Sequence, residues 1–309
     1  MKEIKNVLIC GIGAIGSIYA NKINEYAPEN LKILVDKTRL KKYKKTPKIF
    51  NGKELKLNYI LPEDKSYQAD LIIISTKFDG LAEAAANIKN FVKNDTIIIS
   101  LLNGVTSEEI IATEYGWEHI LLSYFIGHSA MRKGNNIIFD GTGDIVFGGK
   151  FNNETDKNNI HLLKNYFDKV QISYKIPKDM PRALWLKFMM NVSSNQPSAI
   201  LNMTFGQMQK NKHYKDFFVN IMKEVEQIAK ACGIKNTEAM IEEALISFDK
   251  MLPEGKTSML QDIEAKRKTE VEMFAGTIIE LGKKYSIPTP YNKILKEMID
   301  IIEENYQIK

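Results

Sequence analysis

Short apolar runs alternate with amphipathic segments through the first half of the chain. The apolar runs cover residues 7–10, 31–35, 71–75 and 96–101, with a further pair near 120–126 and 144–147. Nearly unbroken runs of isoleucine, leucine and valine are typical of parallel strands that are buried on both faces. Helical spacing between them supplies the crossovers, over residues 15–25, 79–91 and 107–112. The pattern predicts a doubly wound, Rossmann-like α/β sheet.

The pattern changes after about residue 175. Pro177 and Pro181 interrupt a polar link, and from Arg182 onward the apolar positions recur at helical spacing. Helices are predicted over residues 182–195, 215–232, 237–251, 257–285 and 290–306. We therefore expect a Rossmann-like α/β domain over residues 1–175 and an all-α domain over residues 182–309. The long terminal helices either pack internally or form the face of a homodimer.

Composition narrows the class of protein. Hydrophobic residues make up 44% of the 309 positions and charged residues 26%, which fits a folded globular chain. The formal charge of +5 is mild and the lysines are scattered among acids, so we expect small anionic ligands and no nucleic acid. The two cysteines provide neither a disulfide framework nor a metal-binding spacing. With no apolar stretch long enough to cross a bilayer, we expect a cytoplasmic protein without membrane or metal partners.

A glycine-rich turn follows the first apolar run. It consists of Gly11, Ile12, Gly13, Ala14, Ile15 and Gly16, and it leads into a helical pattern. In such a strand–turn–helix unit the first glycine permits the tight turn, the second lets a pyrophosphate approach the backbone, and the third lets helix and strand pack closely. The amides at the start of the helix then hold the anion. The turn predicts a dinucleotide site.

Asp36 and the cations after it bear on which dinucleotide binds. Asp36 ends the second predicted strand, about 20 residues beyond the glycine turn, where an acid binds the ribose hydroxyls of NAD. Lys37, Arg39 and Lys41 follow it at once and would neutralise the additional phosphate of NADP. These residues by themselves leave both cofactors open.

A polar stripe crosses the predicted helix over residues 182–195. Lys187, Asn191 and Asn195 recur every four residues, so an ammonium and two amides share one face of an otherwise apolar helix. Buried amides and lysines are costly unless they are paired or hold a ligand. The stripe is therefore either a ligand site or an internal hydrogen-bond network.

Four further positions have a structural and a functional interpretation. Asn103 with Gly104 ends a predicted strand, where open α/β sheets place ligands, but this pair is equally common in turns. Ser258 or the threonine before it fits a helix N-cap as well as a ligand contact. Glu270 fits a solvated helix acid among basic neighbours as well as a site residue. His128 follows a strand, and an ordinary loop position is its simpler explanation.

These segments together resemble the ketopantoate reductase family. The resemblance rests on Gly11–Gly16, Asn103-Gly104, the helix Trp185-x-Lys187-x-x-x-Asn191-x-x-x-Asn195 and Ser258-Met259-Leu260-Gln261-Asp262 followed by Thr269-Glu270, in that order and spacing. It extends from Val7 to about Pro290. It implies a dinucleotide-binding Rossmann domain over residues 1–175, followed by a helical substrate and catalytic domain over residues 182–309. It also implies the reduction of 2-dehydropantoate to (R)-pantoate with NADPH, on the route to pantothenate and coenzyme A.

The resemblance also implies roles in catalysis and substrate binding. Lys187 matches the lysine that polarises the ketone and delivers a proton to it as general acid. Glu270 matches the acid that positions the reactants. Asn191 and Asn195 match amides on the substrate side, and Ser258 matches the serine that holds the substrate carboxylate.

On the cofactor side, Asn103 matches an asparagine beside the nicotinamide that also faces the substrate. Lys77 matches a lysine near the cofactor at the end of a strand.

The sequence departs from the family pattern at two points. Family members that use NADPH commonly have a basic residue where this chain has Asp36. The family resemblance still favours NADPH, and Asp36 leaves NADH as the alternative. Many members place proline directly after the asparagine that matches Asn195, whereas here Gln196 comes between it and Pro197. The alternatives are a reductase of another small 2-keto acid and a non-catalytic nucleotide-sensing protein.

Overall fold

The computed structural model describes residues 3–127, 130–139 and 141–306. The chain divides into two compact units, Met1–Met180 and Pro181–Lys309. His128 lies outside the described residues.

The first unit is built on a mostly parallel sheet. Its strands are β1 Val7–Cys10, β2 Leu31–Leu34, β3 Ile49–Phe50, β4 Lys53–Glu54, β5 Tyr59–Ile60, β6 Leu71–Ile74, β7 Ile97–Ser100, β8 Ile120–Gly127, β9 Met131–Lys133, β10 Asn136–Ile138, β11 Gly143–Gly148 and β12 Tyr174–Lys175. The main sheet has the order β12-β11-β8-β7-β6-β1-β2-β5. β1 pairs in parallel with β2 on one side and β6 on the other, and β11 runs antiparallel to β8.

Helices cover both faces of this sheet. They are α1 Ala14–Tyr26, α2 Lys37–Lys45, α3 Leu81–Asn87, α4 Ser107–Tyr115 and α5 Glu154–Val170. Ile9 and Ile73 belong to the core cluster that includes residues of α1 and α5, whereas Leu8 belongs to the cluster with residues of α3 and α4. Since alternate residues of one strand enter different cores, every position of the strand has to be apolar. This explains the unbroken apolar runs.

The second unit is helical. Its helices are α6 Met180–Leu201, α7 Phe205–Lys210, α8 Lys212–Ala231, α9 Met240–Asp249, α10 Ser258–Glu264, α11 Thr277–Tyr285 and α12 Pro290–Glu304, with a π-helical turn over Glu272–Gly276 directly before α11. Phe188, Phe218 and Phe274 are fully buried in this unit. The predicted fold class, a Rossmann-like sheet followed by a helical part, is confirmed.

The helix predicted over residues 257–285 is wrong as a single element. The chain leaves the helical path after α10, where Lys266 has a φ of +51°, and becomes helical again only at the π-helical turn. The apolar spacing continues across the break because both pieces bury apolar residues, Met259 and Leu260 before it and Val271 and Met273 after it. Periodicity therefore did not reveal the interruption.

The helix predicted to end at residue 195 continues through Pro197 to Leu201. Proline has no N–H to donate to Ser193 O, four residues earlier. The Tyr214 hydroxyl on α8 donates to that oxygen at 3.2 Å, so the carbonyl is satisfied from a neighbouring helix. This contact allows the proline inside the helix.

Several elements of the first unit were missed. α2 carries six lysine or arginine side chains in nine residues, so it has little apolar periodicity. A small second sheet, in the order β4-β3-β10-β9, is made of strands only two or three residues long. Such short strands are below the length at which alternation can be recognised.

None of the helices in the described ranges is both long and apolar enough to cross a membrane.

Candidate functional site

The glycine turn lies between β1 and α1, and two of its glycines are required by the fold itself. Gly11 has a φ of +98°, and a Cβ there would lie 2.6 Å from Ser75 O on the neighbouring strand. A Cβ on Gly16 would lie 2.0 Å from Gly11 O. Both distances are shorter than any real contact, so these glycines let the turn, the helix and the adjacent strand approach one another.

Gly13 is different, because nothing in the protein requires a glycine there. Its φ is an ordinary −71°, and a Cβ would have no atom within 4 Å. Gly13 is the N-cap of α1, where no side chain caps the helix and the first turn holds no acid. The open space thus lies beside uncapped amides, which is the arrangement that a pyrophosphate needs. The turn fits a dinucleotide.

The turn also lies where an open α/β sheet binds ligands. After β1 the chain builds outward through β2 to β5, then crosses to β6 on the other side of β1. The crevice at this reversal is the usual ligand position. Here the segment after β6 contacts the turn, since Thr76 N lies 2.9 Å from the Cβ position of Gly11. The Oγ1 atom of Thr76 is buried without a hydrogen-bond partner among the described residues.

Lys77 and Asn103 follow the carboxyl ends of adjacent strands at this edge. Lys77 comes three residues after β6, and Asn103 comes three residues after β7. The two ends are joined by a hydrogen bond of 2.8 Å from Leu101 N to Ile74 O. The topology therefore brings both residues to the sheet edge that carries the glycine turn.

A buried polar network supports the end of β7, and sequence reasoning missed it. Glu108 is only 1% exposed and accepts hydrogen bonds from Ser107 Oγ at 2.7 Å and from Ser123 N at 3.2 Å. Ser100 Oγ donates to Ser107 Oγ at 2.9 Å. The serines lie far apart in sequence and look like ordinary polar residues, so only the fold reveals the cluster.

Asp36 is the N-cap of α2. Its Oδ1 accepts a hydrogen bond from Arg39 N at 2.6 Å, and its Oδ2 lies 3.3 Å from the Arg39 guanidinium. Lys37 pairs with Glu63 at 2.8 Å. The carboxylate is thus partly used by its own helix, and a guanidinium lies beside it. A positively charged group therefore lies directly beside the carboxylate that follows β2.

The polar stripe in the second unit lies on α6, as its spacing indicates. Lys187 and Asn191 are partly buried, and Asn195 is 6% exposed. The neighbouring serines form local bonds, from Ser193 Oγ to Met189 O and from Ser194 Oγ to Met190 O, both at 2.6 Å. The serines therefore bond to their own helix.

Ser258 is the first residue of α10, and Thr257 is its N-cap. Thr257 Oγ1 accepts from Leu260 N at 3.1 Å and donates to Ser198 Oγ on α6 at 3.1 Å. The side chain of Ser258 is exposed. Of the two candidates for the cap, Thr257 takes the role, and the same residue ties α10 to the helix that carries Lys187.

Glu270 stands just before the π-helical turn and not in the interior of a helix. It is partly buried, and its carbonyl accepts from Met273 N at 3.0 Å and Phe274 N at 3.2 Å. Glu270 is therefore not a residue inside a helix, because the single helix predicted over residues 257–285 is broken before it.

The side chains at the candidate site include no metal cluster. In the ranges that the structure describes, no three histidine, cysteine, aspartate or glutamate side chains are grouped to hold a metal ion. Cys10, beside the glycine turn, is buried, which raises the pKa of its thiol to about 12 and keeps it protonated.

A Rossmann-type sheet with a glycine turn at its switch point, followed by a helical unit bearing a lysine–asparagine stripe, defines a class of nucleotide-dependent oxidoreductases. Both parts match models of one family: residues 7–151 match ketopantoate reductase PanE/ApbA, and residues 179–303 match its C-terminal part. The chain belongs to the ketopantoate reductase family.

Individual relatives agree over nearly the whole length. A 2-dehydropantoate 2-reductase of Aquifex aeolicus (strain VF5) is 28% identical over 304 residues, covering 96% of each chain. A D-mandelate dehydrogenase, solved with NADH and anilino(oxo)acetate, has a TM-score of 0.86 at 24% identity and covers 98% of this chain and 100% of its own. A dimeric ketopantoate reductase from Staphylococcus aureus has a TM-score of 0.74 at 20% identity and covers 97% and 99%.

Proposed function

We propose that this protein reduces 2-dehydropantoate to (R)-pantoate with NADPH. The observation that carries the proposal is the stripe of Lys187, Asn191 and Asn195 on α6 in a chain whose two parts both belong to the ketopantoate reductase family. On this proposal the product serves the synthesis of pantothenate and coenzyme A.

The first unit would hold the cofactor. The amides after Gly13 bind the pyrophosphate. The adenosine ribose is faced by Asp36, Lys37 and Arg39. Further along the same sheet edge lie Lys77 and Asn103. When bound, the reduced nicotinamide supplies the hydride. The Glu108 network ties the end of β7 to α4 and β8, on either side of the loop that carries Asn103.

The second unit would hold and protonate the keto acid. Addition of hydride to a ketone builds negative charge on its oxygen, so a positioned ammonium lowers the barrier. On this proposal Lys187 polarises that oxygen and transfers a proton to it as general acid. Asn191 and Asn195 orient the substrate from the same helix face, Ser258 binds its carboxylate, and Glu270 positions the reactants.

NADPH is favoured over NADH because Asp36 already serves its own helix. Its carboxylate is held by Arg39 N, and the Arg39 guanidinium beside it is suited to a phosphate. The NADH-bound D-mandelate dehydrogenase that shares the fold makes NADH with an aromatic 2-keto acid the second candidate.

The test is a panel of initial rates. Ketopantoate and other 2-keto acids, an aromatic one included, are each offered with NADPH and with NADH, and the product is identified by chiral chromatography. The proposal expects the highest kcat/KM for ketopantoate with NADPH. A higher value for another keto acid would reassign the substrate, and nucleotide binding without turnover of any acid would favour a sensor.

Homodimer formation and a cytoplasmic location are part of the same proposal. The Staphylococcus aureus relative is dimeric, and Ile294, Met298 and Ile301 form an exposed apolar stripe on α12. Light scattering measures the mass in solution, and fractionation of cells measures the location.

A further inference from the structure

Glu270 lies at the end of a segment outside the helices, residues 265–270. The segment begins after α10, where Arg267 N donates to Asp262 O at 2.8 Å. A side chain on such a segment keeps a fixed position only if the backbone is held from outside. The contacts that hold the end of this segment nearest Glu270 therefore determine where the Glu270 side chain lies.

The residue directly before Glu270 is held by the last helix of the chain. Thr269 N donates to Glu303 Oε1 at 2.7 Å, a hydrogen bond to a carboxylate from the final turn of α12. Thr269 Oγ1 in turn accepts from Val271 N at 3.3 Å and so starts the next helical stretch. The peptide that carries Glu270 is thus fixed between an acceptor on α12 and the start of the π-helical turn.

The same end of the chain also contacts the sequence on either side of Glu270. Lys296 on α12 pairs with Glu272 at 2.8 Å, two residues beyond Glu270. The Tyr306 hydroxyl donates to Ile263 O at 3.2 Å, on α10 before the break. Of these three contacts, the hydrogen bond that Glu303 accepts is the one that reaches Thr269, the residue directly before Glu270.

We infer that Glu303 is a positioning residue for Glu270: it accepts the Thr269 amide and holds the segment so that the Glu270 carboxylate is presented to the keto acid. The inference rests on the proposed function, in which Glu270 positions the reactants. Glu303 itself does not contact the substrate. Glu303 acts only as a hydrogen-bond acceptor for Thr269 N, and the neutral amide oxygen of a glutamine can accept the same bond.

The test uses three substitutions in the full-length protein. Glu303→Leu removes the acceptor, Glu303→Gln keeps an oxygen acceptor without the charge, and Glu304→Ala changes the neighbouring exposed acid as a control. Steady-state kinetics with ketopantoate and NADPH, NADPH affinity by fluorescence and hydrogen exchange of the Thr269 amide are measured on each folded variant.

Glu303→Leu is expected to lower kcat/KM for ketopantoate by about tenfold to a hundredfold, the cost of misplacing a reacting group. NADPH affinity stays unchanged, and Glu303→Gln and Glu304→Ala remain near wild type. Wild-type kinetics in Glu303→Leu would overturn the inference. Equal losses in Glu303→Leu and Glu303→Gln would also overturn it, because the charge and not the hydrogen bond would then matter.

Failure of the proposed function gives a different result. In that case the wild type itself does not reduce ketopantoate, and exchange of the Thr269 amide decides the role of Glu303. Exchange about tenfold faster in Glu303→Leu than in Glu303→Gln supports the holding contact. Equal exchange rates in the two variants contradict it.

Discussion

The three glycines of the turn after β1 are not all there for the same structural reason. Gly11 and Gly16 are required by the chain, since a Cβ on either would overlap backbone atoms. Gly13 has an ordinary φ and open space around its Cβ position. The sequence pattern does not distinguish the three, and only the packing separates the two glycines that the fold requires from the one beside open space.

Substitution of Gly13 is expected to remove nucleotide binding while leaving the fold intact. Gly13→Val fills the space beside the helix amides, so NADPH affinity measured by fluorescence titration falls below detection and the melting temperature stays near wild type. Gly16→Ala is the matched control, because its Cβ would meet Gly11 O at 2.0 Å and should lower the melting temperature. Retained NADPH affinity in Gly13→Val would refute the assignment of the turn.

A substitution of Asp36 tests whether this single residue affects the preference for NADPH over NADH. Asp36→Ala removes the negative charge beside the expected position of the additional phosphate, so the ratio of kcat/KM for NADPH to that for NADH should rise severalfold. The lost N-cap bond from Arg39 N should also lower stability by about 1 kcal/mol. An unchanged ratio, measured with both cofactors, would show that this carboxylate does not face the ribose.

At the scale of elements, the sequence was most informative where every position of a strand is buried. The strands β1, β6 and β7 were placed within one or two residues because every side chain in them is buried. Helix α2 was missed because lysines replace the apolar periodicity. The break before Glu270 was missed because the apolar spacing of the sequence continues across it.

Helix α6 depends on a bond that no sequence pattern indicates. Pro197 leaves Ser193 O without its helical donor, and the Tyr214 hydroxyl supplies a replacement. Burial raises the pKa of Tyr214 well above its usual range, so the hydroxyl remains a donor. The helix that carries Lys187 is therefore supported from α8.

Two tyrosine substitutions measure this support. Tyr214→Phe removes the hydrogen-bond donor to the buried Ser193 carbonyl and should reduce the free energy of unfolding by about 1–3 kcal/mol. Tyr19→Phe is the comparison, because the Tyr19 hydroxyl is buried without a hydrogen-bond partner among the described residues. Its removal should be neutral or slightly stabilising in urea unfolding. Equal losses in both variants would contradict the role given to Tyr214.

At the scale of the whole molecule, the chain divides its proposed chemistry between two units. The first provides the glycine turn and the polar ends of β6 and β7, and the second provides the α6 stripe with Ser258 and Glu270. The fold class was predictable because a buried parallel sheet and a helical unit have different periodicities. The supporting contacts of Glu108, Thr257 and Glu303 were not, because each joins residues distant in sequence.

The most direct measurement of the central claim is the steady-state rate at which the purified protein oxidises NADPH in the presence of ketopantoate, for wild type and Lys187→Ala. We expect a wild-type kcat in the ordinary range of about 1–10³ per second. Lys187→Ala should lower kcat by about 10²–10⁴-fold with NADPH affinity unchanged, because the general acid is lost. No wild-type turnover despite tight NADPH binding, or equal turnover in both proteins, would contradict the account.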